Sequence, residues 1–157
     1  MTSVNQPNVL AYHYSSDYRE VAAQAIEAAG LSPQIFGDPE IAQQALDGSQ
    51  SALIAPNELY VPVNDDELSI VRPSDGLIRY AEVFSTPWAL IAGPTSDPPY
   101  GLLSSAPKGS VVITTGEPLS LSSAERLLHA ESPDDDTKRR VVFALTSWLV
   151  KLQESRA

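Results

Sequence analysis

Cysteine is absent from the 157-residue sequence, and histidine occurs only as His13 and His129. The chain therefore has no disulfide bonds, thiolate metal ligands or cysteine nucleophiles, and so few histidines exclude a histidine-rich metal centre. No apolar run approaches the roughly 20 residues that cross a bilayer. The N-terminus also lacks the basic and apolar segments of a secretory signal. We expect a cytoplasmic protein that has no metal site and no membrane partner.

Sequence motifs that mark active sites are also missing. No GxGxxG sequence follows the first predicted strand, and no GxxxxGK(S/T) sequence occurs, so the familiar nucleotide-phosphate cradles are absent. No GxSxG elbow is present to carry a nucleophilic serine. We predict no catalytic residue set and no cofactor. Whether the protein is an enzyme stays open, although these absences favour a protein that is not one.

Basic residues are half as numerous as acidic ones, with 10 against 20, and the formal net charge is −10. Residues 138–157 contain five basic residues and one acidic residue, which gives +4 there and leaves −14 on residues 1–137. A body this acidic repels polyphosphate, so we expect no nucleic-acid partner. Two interpretations of the acidity remain: it keeps the protein soluble, or it forms a face that docks on a basic partner.

The pattern that is present begins with a strand–helix unit over residues 8–30. An apolar run at 9–11 predicts a strand. Ser15, Ser16 and Asp17 can each cap the helix that follows, and Asp17 with Glu20 resembles a capping box. Gly30 occupies the position where a helix commonly ends. Apolar residues recur at the spacing of one helical stripe: Tyr18, Val21, Ala22, Ala25, Ile26 and Ala29.

The strand–helix pattern then repeats. A second strand is predicted over residues 34–36 and a third over residues 51–55. Between them, Asp38 is the predicted N-cap of a helix that has Pro39 at its first position. This β-α-β-α-β run implies parallel strands joined by right-handed crossovers. We predict a single-domain α/β fold over residues 8–157, with helices on both faces of a mainly parallel sheet. Residues 1–7 are expected to be flexible.

The middle of the chain departs from this alternation. Residues 59–71 predict a β-hairpin inserted into the fold, because two β-rich runs flank a polar turn at 64–67. Residues 77–84 fit a helix or a strand. Residues 88–92 and 111–115 predict strands on either side of a Pro-rich loop at about 94–107.

A C-terminal amphipathic helix follows the acidic run 134–136. These acids favour the positive end of a helix and can pair at i,i+4 with Lys138, Arg139 and Arg140. We expect its apolar stripe to pack on the sheet, with a partner's groove as the alternative. That stripe consists of Val141, Val142, Leu145, Trp148, Leu149 and Leu152.

The first third of the chain resembles two known architectures in its order of elements. One is the receiver domain, whose chemistry needs paired acids after the first strand and an aspartate ending the third. Here those places read Tyr12-His13-Tyr14 and Ala55-Pro56-Asn57, so the resemblance implies a receiver-like shell without phosphoacceptor chemistry. The other is the effector-binding domain of transcription regulators, which would imply a small-ligand site. The chain is short for the full two-lobed form of that domain.

A binding site is expected at the carboxyl ends of the strands, where open α/β sheets take their ligands. Helix N-termini at that edge favour a small anionic ligand. His13 is either a ligand contact or general base, or an ordinary hydrogen-bonded turn histidine. The candidate ligand-binding residues are His13, Tyr14, Ser15, Ser16, Thr95, Ser96, Thr114, Thr115, Gly116 and Glu117.

The sequence thus favours a non-enzymatic regulatory or adaptor protein that binds another protein through its acidic surface or its Pro-rich loop. Long loops often carry binding, and the missing catalytic sets support this function. The alternative is a domain that binds a small anionic metabolite, or a small enzyme, with its site at the strand ends.

Overall fold

The structure is a computed structural model that describes residues 7–57, 59–64, 67–71, 74–92, 105–114 and 133–156, with backbone only between 59 and 71. The elements, in chain order, are β1 (Asn8–Tyr12), α1 (Ser16–Ala28), β2 (Ser32–Phe36), α2 (Pro39–Ala45), β3 (Gln50–Pro56), β4 (Leu59–Asn64), β5 (Glu67–Val71), α3 (Asp75–Phe84), β6 (Trp88–Ala92), β7 (Val111–Thr114) and α4 (Asp135–Arg156).

Five of these strands form one parallel sheet in the order β2-β1-β3-β6-β7. The predicted α/β class and the parallel sheet are confirmed. Pro33 lies within β2, which is an edge strand, so its missing N–H removes no bond from the interior of the sheet. β4 and β5 pair antiparallel in a separate two-stranded sheet.

Alternate residues of the central strands supply two hydrophobic cores, one on each face of the sheet. On one face, Val9 and Ile54 pack with α1 and with the buried stripe of α4 around Leu145. On the other face, Leu10 and Leu53 pack with residues of α2 and α3. The stripe of α4 is therefore core, as expected, and the alternative of a partner's groove for that stripe is wrong.

The N-termini of α2 and α4 are capped by the aspartates expected there, whereas the N-terminus of α1 differs from the prediction. The Asp38 carboxylate accepts the N–H of Glu40 at 2.8 Å, with Pro39 at the first position of α2. The Asp134 carboxylate accepts the N–H of Thr137 at 2.7 Å and so caps α4. The capping box at Asp17 is wrong, because α1 begins at Ser16 and leaves Asp17 within its first turn.

Residues 77–84 belong to a helix, which settles the choice left open by the sequence. α3 buries Leu77, Ile78 and Ala81 and ends at Ser85, a left-handed residue with φ 56°. Most of the Pro-rich loop lies outside the described residues, which resume at Ser105. None of the helices in the described ranges is both long and apolar enough to cross a membrane.

Candidate functional site

His13 lies at the carboxyl end of β1, where the chain turns into α1. Its imidazole Nδ1 accepts the backbone N–H of Ser15, the residue at the N-cap position of α1, at 3.0 Å. The ring stacks on Tyr18 at a centroid distance of 4.6 Å and lies 4.5 Å from the ring of Tyr14. Only 4% of His13 is exposed. This geometry matches the hydrogen-bonded turn histidine that the sequence offered as the alternative to a ligand contact.

Burial makes His13 a poor acid–base group near neutral pH. Desolvation, with a smaller contribution from the Arg19 guanidinium, lowers the pKa of His13 from 6.5 to about 3. The imidazole is therefore neutral at physiological pH, and its Nδ1 lone pair is already used by Ser15. At this junction His13 orders the start of α1 and supplies no charge to a ligand.

Arg19 is a cation at this edge, and the sequence did not predict a role for it. Its Nη1 donates to the carbonyl oxygen of His13 at 2.8 Å, so the guanidinium lies across the β1–α1 turn. Gly37 gives it room, since a Cβ at that position would come within 3.0 Å of Nη1. A basic residue in the first turns of a helix is unfavourable for the helix dipole, and this unusual position could have marked Arg19 in the sequence as a candidate functional residue.

The remaining predicted site residues are spread along the edge. Tyr14 is half-buried, Ser15 is buried and Ser16 is exposed, all at the β1–α1 turn. Thr114 ends β7 and is exposed, but β3 and β6 separate β7 from β1. Three strand spacings put Thr114 roughly 14 Å from His13. The other predicted positions lie outside the described residues: Thr95, Ser96, Thr115, Gly116 and Glu117.

Among the strand ends that the structure describes, Asp38 follows β2, whereas no described acid directly follows β1 or β3. β1 ends in Tyr12 and is followed by His13, while Asn57 follows β3. Asn57 is buried, and its backbone N–H donates to the carbonyl oxygen of Ile91 at 2.9 Å. Across the described ranges, no three His, Asp or Glu residues converge in a way that could hold a metal ion.

A second candidate site lies on the solvent side of α3. Tyr80, Val83 and Phe84, which we call the α3 surface, are all exposed, and Val83 is 75% exposed. Their i, i+3, i+4 spacing places them side by side on the helix. Phe84 lies over Gly48, where a Cβ would come within 2.9 Å of its ring. Three adjacent exposed apolar side chains on one helix are typical of a protein-binding patch.

One acidic residue, Asp47, lies next to the α3 surface, and another, Glu82, lies on a different side of α3. Asp47 precedes Gly48, and hydrogen bonds from the Ser49 hydroxyl and the Ser49 backbone N–H lower the pKa of its carboxyl group. Glu82 lies within α3 and accepts the hydroxyl hydrogen of Ser105 at 2.8 Å. That bond joins the end of the Pro-rich loop to α3.

No protein-family model matches the sequence, and no curated protein matches it. Solved structures of receiver domains do match it. A response regulator receiver domain protein (CheY-like) from Methanospirillum hungatei JF-1 is 10% identical with a TM-score of 0.56, over 96% of this chain and 98% of that one.

Two further structures agree with the first. The signal receiver domain of an HD domain-containing protein from Pseudomonas fluorescens Pf-5 is 15% identical with a TM-score of 0.52, over 99% and 96% of the two chains. A response regulator receiver protein from Sinorhizobium medicae WSM419 is 12% identical with a TM-score of 0.51, over 91% and 99%. At these identities the likeness shows that the chain has the receiver fold.

Proposed function

We propose that this chain is a non-enzymatic regulatory or adaptor domain, built on a receiver fold, that binds another protein through the α3 surface. The exposure of Tyr80, Val83 and Phe84 on one side of α3 carries the proposal. Aromatic residues are frequent binding hot spots, and adjacent apolar side chains exclude water around them when a partner covers them.

The carboxyl edge supports a function that does not depend on chemistry there. Where the receiver domain needs an acid pair and an aspartate, this chain has the enclosed, neutral His13 and the buried Asn57. Neither group offers an ionised oxygen to a phosphoryl group or a divalent cation. At the described carboxyl ends of β1 and β3, buried neutral side chains therefore stand where a receiver domain has its acids. The outer surfaces of the fold remain able to bind a protein.

The partner is expected to be basic around an apolar centre. Residues 1–137 carry a formal charge of −14, and Asp47 precedes Gly48, over which Phe84 of the α3 surface lies. Complementary charge steers a basic partner toward such a surface and accelerates association. The apolar side chains then supply the contact that slows dissociation. A contribution of the Pro-rich loop to binding is supported by Ser105, at its end, whose hydroxyl donates to Glu82 of α3.

Affinity capture from the native source tests this proposal, with the wild-type protein and two variants at low and at high salt. The variant Tyr80→Ser/Val83→Ser removes two side chains of the α3 surface. The control, Ile41→Ser, makes the same kind of change at an exposed apolar residue of α2. We expect wild type and control to retain a stoichiometric partner that high salt weakens. We expect the double variant to bind it at least about tenfold more weakly. Equal binding by all three proteins would contradict the proposal.

Arg19 favours a second function, the binding of a small anionic ligand at the β1–α1 turn. Its guanidinium donates to the carbonyl oxygen of His13 at the turn that leads into α1, and a guanidinium near a helix N-terminus suits an anion. A thermal-shift titration with inorganic phosphate tests it. Stabilisation of wild type that is lost in Arg19→Ala would support the ligand site. No shift in the wild-type protein would exclude phosphate as its ligand.

A further inference from the structure

The outward side of α4 also exposes apolar side chains. The inward side of this helix buries Val141, Leu145 and Leu149 in the core. On the opposite side Phe143 is 74% exposed and Val150 is 38% exposed. These two residues are seven apart, two helical turns, so they lie on the same face. Neither takes part in the α3 surface or in the carboxyl edge.

Charged residues extend this face by one turn in each direction. Arg139 lies one turn before Phe143, and Glu154 lies one turn after Val150. We call Arg139, Phe143, Val150 and Glu154 the α4 outer face. Phe143 and Val150 are equidistant from the midpoint between Thr146 and Ser147, and so are Arg139 and Glu154.

That symmetry makes the α4 outer face complementary to itself. If two copies cross antiparallel at the midpoint, Phe143 of each lies over Val150 of the other, and Arg139 lies over Glu154. A parallel crossing would instead place Arg139 against Arg139 and Glu154 against Glu154, which repel. A two-fold contact of this kind is closed and adds no third copy. We infer that the chain forms a homodimer through antiparallel packing of α4.

The residues at the crossing point permit close approach. Thr146 and Ser147 are small, and the Thr146 hydroxyl already donates to the carbonyl oxygen of Val142 at 2.7 Å, so its hydrogen is satisfied within the helix. Beside Phe143, an open groove of about 320 Å³ runs between α1 and α4. It gives a side chain of the second copy room to pack against the ring.

Charge also favours a second copy at this face. Residues 134–157 contain five basic and four acidic residues, so this segment carries +1 while residues 1–133 carry −11. Two such acidic molecules repel each other over most of their surfaces, and least where α4 meets α4.

Sedimentation velocity of the full chain over a wide concentration range tests the inference. We expect a reversible monomer–dimer equilibrium for wild type and for the Ile41→Ser control. Phe143→Ser should weaken the dimer at least about tenfold, the effect of losing a buried aromatic anchor. Circular dichroism should show unchanged folding, because Phe143 lies outside the core. A wild-type protein that stays monomeric, or a Phe143→Ser dimer of equal strength, would overturn the inference.

Charge reversal tests the antiparallel arrangement itself. Arg139→Glu and Glu154→Arg should each weaken the dimer about threefold or more, because each brings like charges together at two symmetric positions. The double variant Arg139→Glu/Glu154→Arg restores opposite charges and should recover wild-type affinity. If the double variant is weaker than both single variants, the antiparallel pairing is wrong.

Discussion

The indole Nε1–H of Trp148 donates to the carbonyl oxygen of Gly109 at 2.7 Å. This bond joins the C-terminal helix to the turn that leads into the edge strand β7, across 39 residues of sequence. Gly109 takes a φ of +94°, a backbone conformation that residues with a side chain disfavour. Glycine therefore adopts this turn with little conformational strain. The contact fixes the position of α4 along the sheet.

Replacing Trp148 with phenylalanine should therefore lower stability. The substitution removes the donor and leaves the Gly109 carbonyl oxygen without this bond, which costs about 1–2 kcal/mol in the free energy of unfolding. Urea denaturation measures the change. Lys151→Ala, on the exposed side of the same helix, is the control and should change stability by less than about 0.5 kcal/mol. A Trp148→Phe protein as stable as wild type would show that the bond contributes nothing.

Asp134 and Asp135 should contribute differently to stability, because Asp134 caps α4. Asp134→Ala should destabilise the protein by about 1 kcal/mol, because the N–H of Thr137 loses its acceptor. Asp135→Ala removes an adjacent, exposed carboxylate without that bond and should cost only a few tenths of a kcal/mol. Thermal or urea unfolding of the two variants gives the comparison. Equal losses would assign the effect to charge near the helix end and would contradict the cap.

The buried His13 predicts a pH dependence. Its folded-state pKa of about 3 lies below the usual 6.5, so between these values the unfolded chain binds a proton that the folded chain excludes. Stability contributed by His13 is therefore full above pH 6.5 and is lost as the pH falls toward 3, by up to about 1.4 kcal/mol per pH unit.

The variant His13→Asn isolates this effect, because the amide oxygen can still accept the Ser15 N–H while the side chain no longer titrates. The free energy of unfolding of both proteins is measured from pH 8 to pH 5, roughly the range over which a histidine of ordinary pKa gains its proton. We expect the stability difference between them to be constant above pH 7 and to shrink below 6.5. A difference that is constant throughout would show that folded His13 titrates normally.

An ion pair joins α1 to α4, in which Lys138 Nζ lies 3.2 Å from Asp17 Oδ1. Both side chains are about one-third exposed, so the pair is screened and should be weak. A double-mutant cycle with Asp17→Asn and Lys138→Met should give a coupling energy below about 1 kcal/mol that decreases in high salt. A larger coupling that is independent of salt would mean that the pair is better shielded than its exposure indicates.

Periodicity in the sequence predicted most of the fold. The alternation of short apolar runs with helical stripes predicted the parallel sheet, and the stripe of α4 around Leu145 is buried as expected. Residues 77–84 were ambiguous because so short an apolar segment fits either period. The capping box predicted at Asp17 was wrong because Ser15, Ser16 and Asp17 can each cap a helix, and Ser15 takes the N-cap position, where its N–H donates to the imidazole of His13.

The candidate site was harder to predict from the sequence than the fold. Two strands, β3 and β6, lie between β1 and β7 in the sheet. The sequence shows where strands end but does not show their order in the sheet, so the distance between these strand ends could not be predicted. The burial of His13 depends on stacking with Tyr18, a residue that the sequence assigns to the helical stripe. The α3 surface went unnoticed because the helix itself was undecided, and exposed apolar residues become visible only once the buried face is known.

Hydrogen–deuterium exchange of the protein with its captured partner is the sharpest test of binding through the α3 surface. We expect binding to slow exchange in α3 and at Ser105 and Ala106, because Ser105 is bonded to Glu82. Exchange at the β1–α1 turn around His13 should be unchanged. Protection confined to that turn and to Asn57, with none in α3, would contradict binding through the α3 surface and would place the function at the carboxyl edge of the sheet.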